Sequence, residues 1–150
     1  MALVDRHTND FLQEVKKLDQ ELRHFVNSSE GLLHVQMGDF RAWIAAAISE
    51  GRFDDYARGI EILDRYFQPL EPRLESFNNA VYVSFLENLV FEGHNGQQAW
   101  AITPSKTQTE YTDFMTALEA SAPKKLPHPT RKERLLELKK KTSHQKSSGR

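Results

Sequence analysis

The residues of this chain that could bind a metal are carboxylates and histidines, and they are densest between positions 87 and 94. Glu87, Glu92 and His94 fall in this short stretch, and Asp39 could join them if the fold brings the two segments together. Imidazole and carboxylate groups bind several divalent metal ions. The six histidines include no His-x-x-x-His pair, however, and charged groups at helix ends are commonly solvated. The sequence therefore predicts no metal and no cofactor, and a metal-dependent enzyme around Asp39, Glu87 and His94 is kept as an alternative.

Signatures of covalent or phosphate-transfer chemistry do not occur in the sequence. The chain has no cysteine, and Ser49 and Ser84 lack the flanking glycines of a nucleophile elbow. Neither standard glycine-rich phosphate-binding loop is present. Residues 1–122 contain 19 acidic residues, enough to bring several carboxylates together by chance, so no acid and base pair can be assigned. We assign no catalytic residue and favour a non-catalytic protein.

The charge is divided unevenly along the chain. Residues 1–122 carry 10 Lys and Arg against 19 Asp and Glu, whereas residues 123–150 carry 10 against 2. A run of like charges repels itself and buries little apolar surface. We therefore expect an acidic folded domain, 1–122, followed by a basic tail, 123–150.

The tail is the part of the chain best suited to contact nucleic acid. Its basic side chains could neutralise several phosphates with a steep salt dependence, although they could also fold back on the acidic domain. A short helix over 131–141 is predicted from the capping pattern at 130–133 and the leucines that follow. The residues assigned to nucleic-acid binding are Lys124, Lys125, Arg131, Lys132, Arg134, Lys139, Lys140 and Lys141.

The elements that must position these groups are helices. Apolar residues recur at intervals of three and four over long stretches, which is the period of an amphipathic helix. Gly51 and Pro69 mark two of the ends. We predict a compact all-α bundle of five helices over residues 8–25, 38–50, 53–68, 72–91 and 103–120, with a turn-rich loop at 93–98. The helix 72–91 is expected to be central because apolar residues lie on most of its circumference.

The cysteine count and the apolar stretches of the sequence indicate the cellular compartment. Without cysteine there is no disulfide framework, which suits a reducing cytosol. Residues 1–6 contain no apolar run of signal-peptide length, and no apolar stretch reaches the roughly 20 residues of a membrane span. We therefore expect a cytoplasmic protein that does not bind a membrane.

Two short motifs carry a resemblance to a known group of proteins. Leu33–Val35 (Leu-His-Val) precedes Gly38–Phe40 (Gly-Asp-Phe), and Val83–Leu89 (Val-Ser-Phe-Leu-Glu-Asn-Leu) follows about 45 residues later. With these motifs, residues 10–120 resemble a family of small, all-helical, largely uncharacterised bacterial proteins. Some members of that family resemble immunity proteins of polymorphic toxin systems. The resemblance implies no catalytic residue, and the tail after residue 122 lies outside it.

The motifs suggest polar positions for a binding site. Asp39 also has a structural explanation as a cap of helix 38–50, and Glu87 with Asn88 could satisfy a neighbouring helix end. Most aromatic rings fall on the core stripes, whereas Trp100 and Tyr82 have the polar handle common at interfaces. We predict a protein-binding module that neutralises a basic partner, such as a nuclease toxin, with a nucleic-acid module anchored by the tail as the alternative. The partner-binding residues are predicted to be Asp39, Glu87, Asn88, Glu92 and Trp100.

Overall fold

The computed structural model describes residues 3–121 and 138–139, and within them the fold is all-α, as the sequence predicts. No strand occurs in that part of the chain. By contact density the chain divides into two units, Met1–Ala117 and Leu118–Arg150. Residues 3–121 form seven α-helices, α1 Leu3–Lys16, α2 Gln20–Ser28, α3 Leu33–Ser49, α4 Phe53–Tyr66, α5 Glu75–Ala80, α6 Gly93–Ala101 and α7 Ser105–Ser121.

The predicted first helix, 8–25, is in fact two helices. α1 begins earlier, at Leu3, and ends at Lys16, while α2 begins at Gln20. Asp19 has an extended backbone, with φ −163° and ψ 142°, and its carboxylate accepts a hydrogen bond from the Leu22 N–H at 3.0 Å. This is the geometry of a helix N-cap, so Asp19 starts a new helix where the apolar spacing alone predicted continuity.

Removing this cap is expected to weaken the α1–α2 corner. Asp19→Ala leaves the Leu22 N–H of α2 without its acceptor and should lower the free energy of unfolding by about 1 kcal/mol. Urea denaturation of the full chain measures the change. Asp19→Ser, which keeps a capping oxygen, is the control and should lose much less; equal losses in the two variants would contradict the capping role.

α3 also begins earlier than predicted. It starts at Leu33 and not at residue 38, so Asp39 lies inside the helix and the capping explanation for it is wrong. The predicted stop is confirmed, because Gly51 has φ +71°, a conformation that favours glycine. The following helix, predicted over 53–68, is observed as α4 over Phe53–Tyr66.

The predicted helix 72–91 contains three kinds of helical turn and is shorter than expected. A 3₁₀ turn, Pro72–Leu74, leads into α5, which continues as a π-helical turn over Val81–Leu86. The Glu87 N–H donates to the Tyr82 carbonyl, five residues back, at 2.9 Å. The helical path ends at Leu86 and not at residue 91, so Glu87 and Asn88 lie in the turn that follows it.

The predicted loop at 93–98 is wrong, because this segment forms most of α6. Two glycines suggested a loop, but Gly96 lies inside the helix and is buried against the connection that precedes it. A Cβ placed on Gly96 would lie 2.5 Å from the carbonyl carbon of Phe91. Glycine is therefore present here because two backbone segments approach closely. The last predicted helix, 103–120, is confirmed as α7.

The core is built around α3 and a group of aromatic rings. α3 packs against α2, α4, α5, the π-helical turn and α6, so it holds the central position that we predicted for residues 72–91. Phe11 packs edge-on against Phe40 and Phe77, with ring centroids 5.8 and 5.1 Å apart. Phe40 in turn contacts Phe85 of the π-helical turn at 5.3 Å. None of the described helices has both the length and the apolar character that a membrane span requires.

Candidate functional site

A groove of about 530 Å³ runs between α2 and α3 in unit 1. The break at Asp19 sets one wall, because it starts α2 beside α3. The C-terminal end of α3 and the residues that follow it complete the groove. It is lined by Asp19, Glu21, Leu22, Phe25, Asp39, Ala42, Trp43, Ala46, Glu50 and Arg52.

The floor of the groove is apolar and partly open to solvent. Trp43 and the small side chains of Ala42 and Ala46 come from α3, and Phe25 comes from α2 with 48% of its surface exposed. Phe25 lies on the stripe 11–25 that the sequence assigned to the core. A half-exposed phenylalanine in a groove is a typical contact for a partner's apolar side chain.

The rim of the groove is acidic. Asp19, Glu21, Asp39 and Glu50 contribute four carboxylates, against one guanidinium from Arg52. Asp19 caps α2, and Glu50 accepts a hydrogen bond from Arg52 at 2.6 Å. The carboxylates of Glu21 and Asp39 make no hydrogen bond or ion pair with any residue that the structure describes. These two carboxylates are thus open to a cation from another molecule.

Arg52 shows how this surface holds a guanidinium group. Its Cζ lies 5.7 Å from the centre of the Trp43 ring, while Nε and Nη1 donate to Glu50 and Asp55 at 2.6 and 2.7 Å. The hydrogen bonds that Arg52 donates to Glu50 and then to Asp55 raise the pKa of Arg52 above its ordinary value. Arg58 and Arg52 lower the pKa of the Asp55 carboxyl by hydrogen bonding. An aromatic face combined with carboxylates is the usual environment of a bound arginine.

The five predicted partner-binding residues do not share one site. Asp39 lines the groove, whereas Glu92 lines a second cavity of about 500 Å³ together with His94. Glu87 and Asn88 are exposed in the turn after Leu86. Trp100 is half-buried, with its ring centre 5.0 Å from Phe91 and 5.6 Å from Tyr111, so it belongs to an aromatic cluster.

The metal alternative has no geometric support in the described residues. Asp39 and His94 line different cavities. Across residues 3–121 and 138–139, no three His, Cys, Asp or Glu side chains are arranged to hold a metal ion. The basic tail residues fall outside the described part of the chain, except Lys139, which is helical.

The two motifs of the sequence meet at one hydrogen bond. His34 Nδ1, at the start of α3, lies 2.8 Å from Ser84 Oγ in the π-helical turn. Within residues 3–121, His34 has no carboxylate partner, so the pair lacks the orienting acid of a hydrolytic triad. The hydrogen bond between His34 and Ser84 links α3 to the π-helical turn.

Sequence reasoning missed three important residues of the groove: Glu21, Phe25 and Trp43. Phe25 and Trp43 fit helical apolar patterns, which give the face of a residue but not its final exposure. Glu21 is one of many acidic residues, and the only available signal was its position in the first turn of α2, which the predicted single helix concealed.

Comparison with known proteins agrees with the predicted family in one respect, that it is uncharacterised, and adds no function. No curated protein and no solved structure matches the chain. A family model described as a domain of unknown function, DUF7674, matches residues 8–117, which include the groove, the π-helical turn and both motifs. The chain therefore belongs to the DUF7674 family.

Proposed function

We propose that this protein is a non-catalytic, cytoplasmic binding protein that neutralises a basic protein partner, in the manner of an immunity protein against a nuclease toxin. The acidic rim and the open aromatic floor of the groove between α2 and α3 carry the proposal. A partner that binds phosphate must present cations, and an acidic surface can cover them. Charge complementarity of this kind speeds encounter and selects the partner.

The charge of the folded part supports this class of partner. Residues 1–122 have a formal charge of −9, and within them the groove has a local excess of three carboxylates over its one guanidinium. Because Glu21 and Asp39 have no partner among the described residues, a ligand cation need not break an existing ion pair.

The floor restricts the ligand further. Phe25 and Trp43 offer apolar area beside the carboxylates, so the segment that fits is basic with at least one apolar side chain. The volume of about 530 Å³ lies within the range of roughly 300–1,000 Å³ typical of binding sites. We expect an arginine of the partner to lie near Trp43 as Arg52 does, with its charge facing Asp39 or Glu21.

The test is affinity capture from nuclease-treated source-cell lysate, with the full chain as bait and mass spectrometry as readout. We expect a basic protein to be retained by the wild-type chain and to be lost, on the order of tenfold, with the double variant Glu21→Gln, Asp39→Asn. The double variant Glu61→Gln, Glu75→Gln is the matched control, because it removes the same charge from exposed positions outside the groove.

The outcomes separate the proposal from its alternative. Loss of the partner in the groove variant alone supports the proposal. Equal loss in both variants would show that the interaction depends on the overall charge and not on the groove. Residues 123–150, with 10 basic residues against 2 acidic, favour the second candidate, a nucleic-acid anchor. Retention that occurs only in a parallel capture without nuclease treatment, and is equal for both variants, would favour that anchor and contradict the groove.

A further inference from the structure

A second, basic concavity lies at the corner between α1 and α2. It has a volume of about 210 Å³ and is lined by Gln13, Lys16, Lys17, Arg23 and Asn27. The residues come together because the chain turns at Asp19 and α2 packs back against α1. Arg23 and Asn27 are one turn apart on α2, so both can face α1. Glu21 and Phe25, on another face of the same helix, line the acidic groove.

The cations of this pocket differ from four arginines elsewhere in the same unit, although Arg41 also makes no ion pair with the described residues. Arg52, Arg58, Arg65 and Arg73 are all in ion pairs with carboxylates. Lys106 donates to the carbonyl oxygens of Asp64 and Phe67.

The side chains of Lys16, Lys17 and Arg23 make no hydrogen bond or ion pair with the described residues. Glu14, the acidic residue closest to them in α1, is itself bound by Arg65 at 2.8 Å. Three cations therefore line a pocket that contains no carboxylate, although Glu14 interacts electrostatically with Lys17 from outside it.

The positions of the cations point to a ligand. Lysines at the end of a helix are stabilised by its dipole, which accounts for Lys16 and Lys17. It does not account for Arg23, which lies inside α2 and lines the same pocket. A third positive charge strengthens the local positive potential, which favours a bound anion.

The side chains that line the pocket favour a phosphate group as the ligand. Ammonium and guanidinium groups provide charged donors, and the amides of Gln13 and Asn27 provide neutral ones. Such donors suit a dense oxyanion, because charge-assisted hydrogen bonds are the stronger kind. The volume is below the roughly 300 Å³ at which pockets for larger organic ligands begin, so the anion is small.

We propose that the pocket formed by Gln13, Lys16, Lys17, Arg23 and Asn27 binds a small phosphorylated anion of the diphosphate class. This site is independent of the groove, so either proposal can fail without the other.

The experiment is a titration of the isotope-labelled full chain with inorganic diphosphate, followed by amide chemical shifts in NMR spectra at physiological ionic strength. We expect saturable shifts centred on residues 13–27. Lys17→Gln with Arg23→Gln should weaken the affinity on the order of tenfold, since two of three charged donors are removed. Arg58→Gln with Arg73→Gln is the control, because it removes the same charge from exposed arginines outside the pocket.

Each outcome of the titration either supports or contradicts the proposed anion site. Shifts at 13–27 that the pocket variant weakens and the control does not would support the site. Shifts confined to the basic tail, equal weakening in both variants, or no shift at 13–27 would overturn it. An intact amide spectrum of each unliganded variant shows that the fold is retained.

Discussion

Gly96→Ala is expected to lower the free energy of unfolding by about 2 kcal/mol, the typical cost of forcing an extra methyl group into a packed site. The added Cβ would lie 2.5 Å from the carbonyl carbon of Phe91, 3.0 Å from its Cα and 3.1 Å from its oxygen. These are backbone atoms, so a change of rotamer cannot relieve the contact. The connection before α6 would have to move, and Phe91 packs against Trp100 and Tyr111. Urea denaturation of the full chain measures the loss.

Gly38→Ala is the matched control for this experiment. Gly38 also lies inside a helix, α3, but nothing lies within 4 Å of the position of its missing Cβ. Alanine is the better helix former, so this variant should gain about 0.5–1 kcal/mol. Opposite signs for the same substitution would show that packing decides the effect at position 96. A stable Gly96→Ala variant would mean that Phe91 and α6 do not approach as described.

The second large effect is a loss of stability in alkali that involves Tyr56. Its hydroxyl donates to Thr103 Oγ1 at 2.6 Å, and that oxygen donates to the Ala99 carbonyl at 2.7 Å. Tyr56 is fully buried, and burial raises its pKa from 10.0 to about 12. Between these pH values the unfolded chain loses the proton while the folded chain keeps it. Stability is therefore complete below pH 10 and falls as the pH rises towards 12.

Tyr56→Phe isolates this contribution. At neutral pH the variant should be less stable than the wild type by about 1 kcal/mol, because it loses one buried hydrogen bond. The wild type then loses about 2 kcal/mol more than the variant between neutral pH and pH 12, since a shift of one unit corresponds to about 1.4 kcal/mol. The order of stability should reverse in strong alkali.

Other tyrosines titrate in both chains and do not affect the comparison. Burial raises the pKa of Tyr82 to about 12, and a hydrogen bond with Glu14 raises that of Tyr66 to about 12. Denaturation curves over this pH range, with tyrosinate absorbance as a second readout, test the reversal. Parallel pH profiles for wild type and variant would show that Tyr56 is not buried as described.

The sequence predicted helices well where the apolar period and a strong stop agree. Gly51 and the stripe that begins at Phe53 gave α4 almost to the residue, because helix packing and local chain preference favour the same boundaries. The apolar stripe over residues 11–25 led to a wrong prediction, because its spacing fits one continuous helix. The capping bond of Asp19 interrupts that helix, and such local competition with the backbone leaves no trace in the apolar period.

Other features depend on contacts distant in sequence. Gly96 suggested a loop because glycine is permissive, whereas its actual role depends on the backbone of Phe91. Asp39 was predicted as a binding residue only because it lies in a motif. The helical period of apolar residues could not show that Phe25 would stay half-exposed. Glu21 could be predicted as a groove residue only if the start of α2 was known. The pocket around Arg23 could be predicted only if the corner at Asp19 was known.

The π-helical turn over Val81–Leu86 has a consequence for comparing members of the family. Its hydrogen bonds span five residues and not four, as the bond from Glu87 to Tyr82 shows, so it holds one more residue than an ordinary turn. A relative with one residue fewer there could close the turn as an α-helix and keep the rest of the bundle. Alignments of the family are therefore expected to open single-residue gaps inside this helical path, and shortened relatives should lose the register that places Ser84 at His34.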